Sequence, residues 1–168
     1  MIEIKRIEPH QVGEIKHMIL TVARGIYEWQ ESLDEIVRAF DARGEFSDID
    51  HFQSHYLDRR GQFLVALDAG RVVGSGAVRQ IDATVCELKR IWLLEAYQGK
   101  RLGYRLAQML FDFARGADYE IVRLETDKRQ TRAIAFYRQL GFQFIEPLEG
   151  DPDDVWMEMS LSQNGSAA

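Results

Sequence analysis

The sequence predicts a mixed α/β domain whose sheet is mostly antiparallel, with a central parallel pair of strands and about four flanking helices. Two observations predict this class. Segments 62–67 and 72–81 are apolar runs joined by a short polar turn, which is typical of an antiparallel hairpin. Residues 87–147 alternate strand, helix, strand, helix and strand patterns, which favours parallel pairing inside the same sheet.

The first quarter of the chain has the patterns of one strand and two helices. Residues 2–7 are rich in isoleucine and predict a short strand, after which Pro9 opens a helix with apolar residues at helical spacing. Ser32 and Glu35 have the spacing of a capping box. The second helix is therefore expected to begin there and to end at Gly44.

The remaining elements follow from the same signals. Asp48 or Asp50 is expected to cap a further short helix that runs to Tyr56. Beyond the hairpin, strands are predicted at 87–93, 121–126, 142–145 and 155–161, and helices at 100–115 and 131–140. Gly141 follows the last helix, as is typical of a helix C-terminus.

Composition and charge limit the class of protein. The 168 residues suit a single domain at 1–161, followed by a small polar tail at 162–168 that is expected to be disordered. No run approaches the roughly 20 apolar residues of a membrane helix, and charges interrupt the N-terminus where a signal peptide needs an apolar stretch. A net charge of −6 argues against general nucleic-acid binding. We therefore expect a cytoplasmic protein with no membrane or nucleic-acid partner, and the single Cys86 fits a reducing compartment.

Charges are unevenly distributed along the chain. Residues 28–50 hold eight acidic and two basic residues, whereas residues 89–105 hold five basic residues and one acidic residue. Residues 128–138 add four basic residues and no acid. Either basic cluster alone is compatible with chance clustering on a solvated surface. Together they indicate a small polyanion held between them, with a cation preferred elsewhere.

A glycine-containing loop precedes the clearest predicted helix. The first turn of a helix carries unpaired backbone N–H groups and a partial positive charge, so it binds anions. Gly99 and Gly103 allow the backbone to approach a ligand, and Lys100 and Arg101 add positive charge. The pattern predicts a phosphate site at 97–104, with an ordinary loop of solvated basic residues as the alternative.

Three ordered motifs carry the most specific signal in the chain. They are E-L-K-R-I-W-L at 87–93, Y-Q-G-K-R-L-G at 97–103 and A-I-A-F-Y-R-Q-L-G-F at 133–142. In order and spacing they resemble the GNAT superfamily of acyl-CoA N-acyltransferases, whose loop pattern Q/R-x-x-G/A-x-G/A is matched at Gln98 and Gly103. The resemblance implies that the central parallel strands splay apart and that the loop holds the pyrophosphate of acetyl-CoA, the acyl donor, without a metal.

Arg101 departs from the family pattern, which has Gly or Ala at this position. A larger residue fits there when its backbone φ is negative and its Cβ points away from the pyrophosphate. We expect this geometry, in which the arginine folds back and contacts the phosphates. The alternative is a position that demands a positive φ or contact at Cβ distance, in which case the affinity for CoA should fall.

Acetyl transfer requires that the amine lose a proton, because an alkylammonium group has a pKa of about 10.4. Glu87 is the candidate base, since it stands where some family members carry a catalytic glutamate at the start of the strand that leads to the loop. An ion pair with Lys89 is its alternative role. Tyr137 resembles the family's general acid, a phenol that protonates the departing thiolate. Anchoring of the helix to the sheet is the alternative for Tyr137.

The resemblance also implies the contacts with the cofactor. Backbone groups of Ile91 and Leu93 are expected to bind the pantetheine arm, and a backbone N–H near Trp92 to polarise the acetyl carbonyl. Core packing is the second reading of these residues, and both roles can coexist. Gln130 stands where family members often carry a cofactor-binding Asn. The predicted cofactor-binding residues are Ile91, Trp92, Leu93, Gln98, Gly99, Lys100, Arg101, Leu102, Gly103, Tyr104, Gln130 and Tyr137.

Residues and resemblance together predict an acetyl-CoA-dependent N-acetyltransferase, in which a primary amine of a small molecule or peptide attacks the thioester directly in a ternary complex. The acidic stretch 28–50 and the acidic cluster 149–154 lie where this fold places the acceptor, so a cationic amine is expected. A non-catalytic acyl-CoA-binding regulatory module is the alternative. His51 and His55 have the spacing of two metal ligands on a helix, but the sequence pattern offers no third ligand, so no metal site is expected. An edge strand and exposed helices permit a homodimer.

Overall fold

Seven strands form one sheet in the computed structural model, which describes residues 1–162. The strands are β1 Ile2–Arg6, β2 Gln62–Asp68, β3 Arg71–Gln80, β4 Val85–Leu93, β5 Ile121–Asp127, β6 Gln143–Ile145 and β7 Asp154–Ser160. Their order is β1-β2-β3-β4-β5-β7-β6, and neighbours are antiparallel except for the parallel pair β4 and β5. The predicted fold class is therefore confirmed.

Four longer helices flank the sheet, as expected, and two single-turn helices lie between the second of them and β2. The helices are α1 Val12–Tyr27, α2 Leu33–Ala42, α3 Ser47–Asp50, α4 Phe52–His55, α5 Leu102–Gly116 and α6 Thr131–Leu140. Single 3-10 turns lie at Pro9–Gln11, Leu57–Arg59 and Glu95–Tyr97. The tail predicted at 162–168 lies outside the described residues except for Ser162, and the single domain at 1–161 stays a prediction.

Side-chain alternation along β2 divides the core between the two faces of the sheet. Leu64 and Ala66 pack in a cluster with α5 and α6, whereas Phe63, Val65 and Leu67 pack in a second cluster with α1 and α2. Helices α1 and α6 therefore cover opposite faces. An opening between strands of this sheet connects the two sides.

Local sequence signals set the ends of two helices as predicted. Ser32 Oγ accepts a hydrogen bond from the N–H of Glu35, and the Glu35 carboxylate accepts one from the N–H of Ser32. Gly141 follows α6 with a φ of 110°, a conformation that side chains other than glycine rarely adopt.

The cap predicted at Asp48 or Asp50 is wrong. The segment forms the separate turns α3 and α4, and neither turn has a side-chain cap. Asp48 is buried and accepts hydrogen bonds from Arg90, while Asp50 pairs with Lys16. A carboxylate binds a guanidinium more strongly than a backbone N–H, so these tertiary partners prevail over the local cap.

Strands β4 and β5 pair only over their first residues. The register joins residues 85–87 of β4 to residues 121–123 of β5, although the two strands continue to Leu93 and Asp127. Beyond that register no ladder pairs the two strands in the described chain, so backbone N–H and C=O groups face a gap. This divergence is the splay that the resemblance implied.

Candidate active site

A β-bulge lies in β4 where the strand begins to line the gap. The pairing with β3 shifts after Ser75, and Arg90 takes a left-handed φ of 57°. Gly76 lies opposite, where a Cβ would come within 2.6 Å of Ile91 Cδ1, so a larger residue would displace the Ile91 side chain. The Ser75 hydroxyl donates to the Arg90 carbonyl at 2.7 Å. These contacts fix the backbone that continues into residues 91–94.

A cavity of about 810 Å³ extends along the gap. Its walls come from α1 on one face of the sheet, from α6 on the other, and from the end of β4 and the loop before α5. Nine of the twelve predicted cofactor-binding residues line this first cavity; Lys100, Leu102 and Tyr137 do not. The sequence motifs therefore converge on one channel.

The loop before α5 presents backbone N–H groups to the first cavity. Gln98 Nε2 donates to the carbonyl of Leu93 at 2.9 Å and so ties the loop to the end of β4. A Cβ at Gly103 would lie 3.2 Å from Leu93 Cδ1 and 3.4 Å from Phe136 Cζ, so glycine allows the helix to approach the strand. Within the described chain no side chain caps α5, which leaves its first-turn N–H groups available to an anion.

The backbone at Arg101 differs from the expectation. Its φ is 63°, in the left-handed region, whereas the sequence-based prediction was a negative φ. The guanidinium lies 5.4 Å from the centroid of the Tyr104 ring, so the side chain runs along the helix. For a residue with a Cβ this conformation is less favourable by about 1–2 kcal/mol, and glycine lacks that destabilisation.

We expect the Arg101→Gly variant to be more stable than Arg101→Ala by about 1 kcal/mol, because the two variants differ in the Cβ that the left-handed conformation disfavours. Urea unfolding of both proteins measures the difference. Both variants lose the guanidinium, so the alanine variant is the matched control. Equal stability would show that the loop relaxes to a negative φ at little cost.

Gln130 lies at the rim of the first cavity, where the end of β5 meets α1. Its Nε2 donates to the Tyr27 hydroxyl at 3.1 Å, and the Arg129 guanidinium stacks 4.6 Å from the Tyr27 ring centroid. Asp127 in turn accepts two hydrogen bonds from the Arg129 guanidinium. The amide that was predicted to contact the cofactor is therefore partly engaged in joining α1 to β5 across the gap.

A second cavity of about 300 Å³ contains Glu87, the predicted base. Glu87 alternates with Cys86 and Leu88, which belong to the α5 cluster, so its side chain lies on the α1 face of the sheet. Glu87 Oε2 accepts a hydrogen bond from Arg79 Nε at 2.9 Å and lies 2.8 Å from Arg79 Nη2 in the same ion pair. Lys89 Nζ is 4.0 Å from Glu87 Oε1. The carboxylate is thus buried in an ion pair whose main partner is Arg79, and its role as base stays a prediction.

Sequence reasoning missed Glu125, which lines the same cavity on the side of the gap. Within residues 1–162 no hydrogen bond or ion pair engages its carboxylate. Glu125 is exposed to solvent, yet partial desolvation raises its pKa above the usual 4.5, and the neighbouring carboxylates of Asp154 and Glu87 raise it further. The sequence offered one signal for Glu125. It lies near the end of the predicted strand 121–126, which was expected to pair in parallel with the strand that leads to the loop.

Tyr137, the predicted acid, lies in the core beneath the first cavity. Its side chain is buried, and its ring packs 5.9 Å from the Phe142 ring centroid. Phe136 and Leu140 of the same helix line the cavity. Burial raises the pKa of the Tyr137 hydroxyl well above 10, so the phenol is protonated at neutral pH.

The acidic stretch 28–50 lines neither cavity. Five of its eight carboxylates are engaged within the protein. Glu35 belongs to a helix cap, and the ion pairs are Asp48 with Arg90, Asp41 and Asp50 with Lys16, and Glu45 with Arg43. Of the cluster 149–154, Glu149 lines the second cavity. The stretch 28–50 therefore provides no direct support for a cationic acceptor.

Two absences apply to residues 1–162. No group of three or more His, Cys, Asp or Glu side chains there could hold a metal ion. No helix in that range combines the length and the apolar character needed to cross a membrane.

A parallel strand pair that splays, a channel along the splay and an anion site at a helix N-terminus define a class of enzyme. This geometry suits an extended ligand that lies along the gap and places an anionic group, such as a phosphate, at the N-terminus of α5.

Comparison with known proteins identifies the family. Residues 24–142 match the model of the Acetyltransferase (GNAT) family. The chain is 36% identical over 104 residues to IAA acetyltransferase of Azospirillum brasilense, covering 60% of this chain and 68% of that protein. It is 31% identical over 116 residues to the uncharacterized N-acetyltransferase YjgM of Escherichia coli K12, covering 67% of this chain and 70% of that protein.

A solved structure shares the fold. PaiA N-acetyltransferase of Thermoplasma acidophilum, solved in complex with coenzyme A, gives a TM-score of 0.77 at 19% identity over 95% of this chain and 99% of that one. The chain belongs to the GNAT acetyltransferase family, and it is an N-acetyltransferase that takes its acetyl group from acetyl-CoA. The resemblance drawn from the three motifs is therefore confirmed.

Proposed function

We propose that the protein transfers the acetyl group directly to a primary amine in a ternary complex, with acetyl-CoA in the first cavity and the amine in the second. The gap between β4 and β5 carries this proposal. The first cavity follows the gap, and the second lies over the paired ends of the same strands with Glu125 on the side of the gap. The proposal places the amine and the thioester together at the splay, where the amine attacks without an acyl-enzyme intermediate.

The lining of the first cavity fits the shape and charge of acetyl-CoA. Both basic clusters contribute to it, since Arg101 comes from the first and Arg129 and Arg132 come from the second. Arg132 is the guanidinium nearest the loop, since its Nη2 lies 3.9 Å from the position of a Cβ at Gly99, whereas Asp127 already binds Arg129. Together with the first-turn N–H groups of α5, Arg132 offers positive charge to a pyrophosphate. The apolar end of β4 and Phe136 offer a surface to the pantetheine arm.

In the second cavity Glu125 is our candidate base, acting directly or through one water. Its carboxylate has no ionic partner among residues 1–162, whereas Glu87 is bound by Arg79. Glu87 then holds the cavity floor in place, and a backbone N–H near Trp92 polarises the acetyl carbonyl. The assignment replaces Glu87 by Glu125 as the group that accepts the proton.

Replacing Tyr137 with Phe is expected to lower kcat about 100-fold, at the low end of general acid catalysis, because a thiol pKa of about 8.5 makes the thiolate a fair leaving group. The Kd for CoA, measured by calorimetry, should stay unchanged. Tyr119→Phe is the matched control, since Tyr119 is also buried but donates its hydroxyl to the carbonyl of Arg60. Unchanged kcat in Tyr137→Phe would leave this tyrosine a packing role.

The test of the reaction is thiol release from acetyl-CoA in the presence of primary amines, alcohols and carboxylic acids, followed with a thiol reagent. Release with amines, together with the mass of the N-acetyl product, is the expected result. Release with alcohols or acids alone contradicts amine transfer. Tight CoA binding without release for any acceptor favours the regulatory module. The homodimer stays a prediction.

A further inference from the structure

The floor of the second cavity is a row of alternating charges across the sheet. Arg79, Glu87 and Arg123 stand in register on β3, β4 and β5. Glu158 of β7 is next in the row. Arg79 binds Glu87 at 2.8 Å. Arg123 binds Glu158 at 2.7 Å. The two ion pairs use these charges within the protein, so the floor presents little net charge to a ligand.

The negative end of the cavity lies at β5 and β7, where Glu125 stands beyond the residues of β5 that pair with β4. Glu125 of β5 and Glu149 of the loop before β7 both line it. Trp156 Nε1 donates to the Glu149 carbonyl at 3.1 Å, which holds that loop against the strand. Within residues 1–162 no hydrogen bond or ion pair uses either carboxylate. Both groups are therefore available to an ammonium ion.

The positive end lies away from the gap. His55 and Arg59 line the cavity from α4 and the turn that follows it. The neighbouring Arg60 donates to the carbonyl of Ala83, in the turn that joins β3 to the first residue of β4. This turn is at the opposite end of β4 from the gap. No side-chain hydrogen bond or ion pair in the described chain engages the Arg59 guanidinium.

We propose that the acceptor is a small amine that carries an acidic group, such as a carboxylate, at the end remote from its amine. The proposal rests on the proposed function and specifies its acceptor. The amine lies at Glu125 beside the thioester, and the acidic group lies at Arg59. A second ammonium at that end would meet a like charge, which selects against diamines. The cavity volume of about 300 Å³ corresponds to roughly ten waters, which suits a small molecule.

Three five-carbon amines that differ at the far end test the proposal: 5-aminopentanoate, pentylamine and 1,5-diaminopentane. We expect kcat/KM for 5-aminopentanoate to exceed that for the other two by about tenfold, the value of one charge-assisted hydrogen bond. Norvaline, which carries its carboxylate beside the amine, should also be poorer. A preference for pentylamine or the diamine overturns the proposal, and a preference for norvaline overturns the remote position of the acid.

The Arg59→Gln variant locates the recognition. It should lose most of the tenfold advantage of 5-aminopentanoate while pentylamine turnover stays the same. Arg43→Gln is the control, because Arg43 is exposed, pairs with Glu45 and lines neither cavity. An advantage that survives in Arg59→Gln contradicts the assignment. If no amine releases thiol, the proposed function fails, and NMR line broadening of 5-aminopentanoate against pentylamine then tests the charge selection separately.

Discussion

The Glu125→Gln variant is expected to lose roughly 10²- to 10⁴-fold in kcat/KM for the amine, the range of general base catalysis. At neutral pH an alkylammonium with a pKa of about 10.4 is almost wholly protonated, so the enzyme must remove a proton before attack. Glutamine keeps the shape of the side chain and removes its basicity. Steady-state thiol release at saturating acetyl-CoA measures the loss.

The pH profile separates a base from a structural residue. Partial desolvation makes the largest contribution to the pKa of Glu125, which lies above 4.5. The carboxylates of Asp154, Glu87 and Glu149 raise the pKa further, and Lys89 opposes them. The carboxylate is the active form, so kcat/KM of the wild type should fall as pH drops through that raised pKa. In Glu125→Gln this acid limb should disappear, and the rate should climb with pH toward the pKa of the amine.

Two further variants decide between the carboxylates. Glu120→Gln is the matched control, because Glu120 is an exposed residue just before β5 that lines neither cavity. Glu87→Gln leaves Arg79 without its ionic partner and is expected to cost less activity than Glu125→Gln. If Glu87→Gln abolishes turnover and the acid limb while Glu125→Gln leaves both in place, the base is Glu87, as the sequence motif predicted.

The Asp48→Ala variant is expected to lose about 3–5 kcal/mol of unfolding free energy, because it removes one partner of a buried ion pair. Asp48 Oδ1 and Oδ2 accept hydrogen bonds from Arg90 at 2.6 and 3.0 Å. The Asp48 side chain is 10% exposed and the Arg90 side chain is 19% exposed. The Tyr56 hydroxyl also donates to Asp48. Without the carboxylate, the guanidinium remains buried beside the bulge of β4. Urea unfolding monitored by tryptophan fluorescence measures the loss.

Asp50→Ala is the control for Asp48→Ala, because Asp50 lies on the same turn and pairs with Lys16, but its side chain is 39% exposed. The Asp50→Ala variant should lose less than about 1 kcal/mol of unfolding free energy. Burial alone would raise the pKa of Asp48, but Arg90 lowers it overall below 3.8. The stabilisation is therefore present at neutral pH and is lost as pH falls through that lowered pKa. A loss under about 1 kcal/mol in Asp48→Ala would show that the pair is energetically neutral.

Motifs defined by local backbone chemistry could be predicted from the sequence. The capping box at Ser32 and the helix end at Gly141 each depend on residues within one turn, and both were located correctly. The phosphate loop is of the same kind, because its function depends on N–H groups of one helix turn. Its backbone conformation was not predicted, because the left-handed φ of Arg101 is unusual for a residue with a Cβ and no local sequence signal marks it.

The sequence by itself determined the order of the main elements, the family and nine of the residues that line the first cavity, because periodicity, caps and the three motifs all lie within short segments. Only the tertiary structure decided which charged side chains are paired within the protein and which are left without an ionic partner. Asp48 and Arg90 are 42 residues apart, and their pairing turned an expected helix cap into a support of the bulge. Arg79 binds Glu87, whereas no hydrogen bond or ion pair among residues 1–162 engages Glu125. A carboxylate's role depends on whether a cation from another strand reaches it, and the spacing of residues along one chain does not encode that distance.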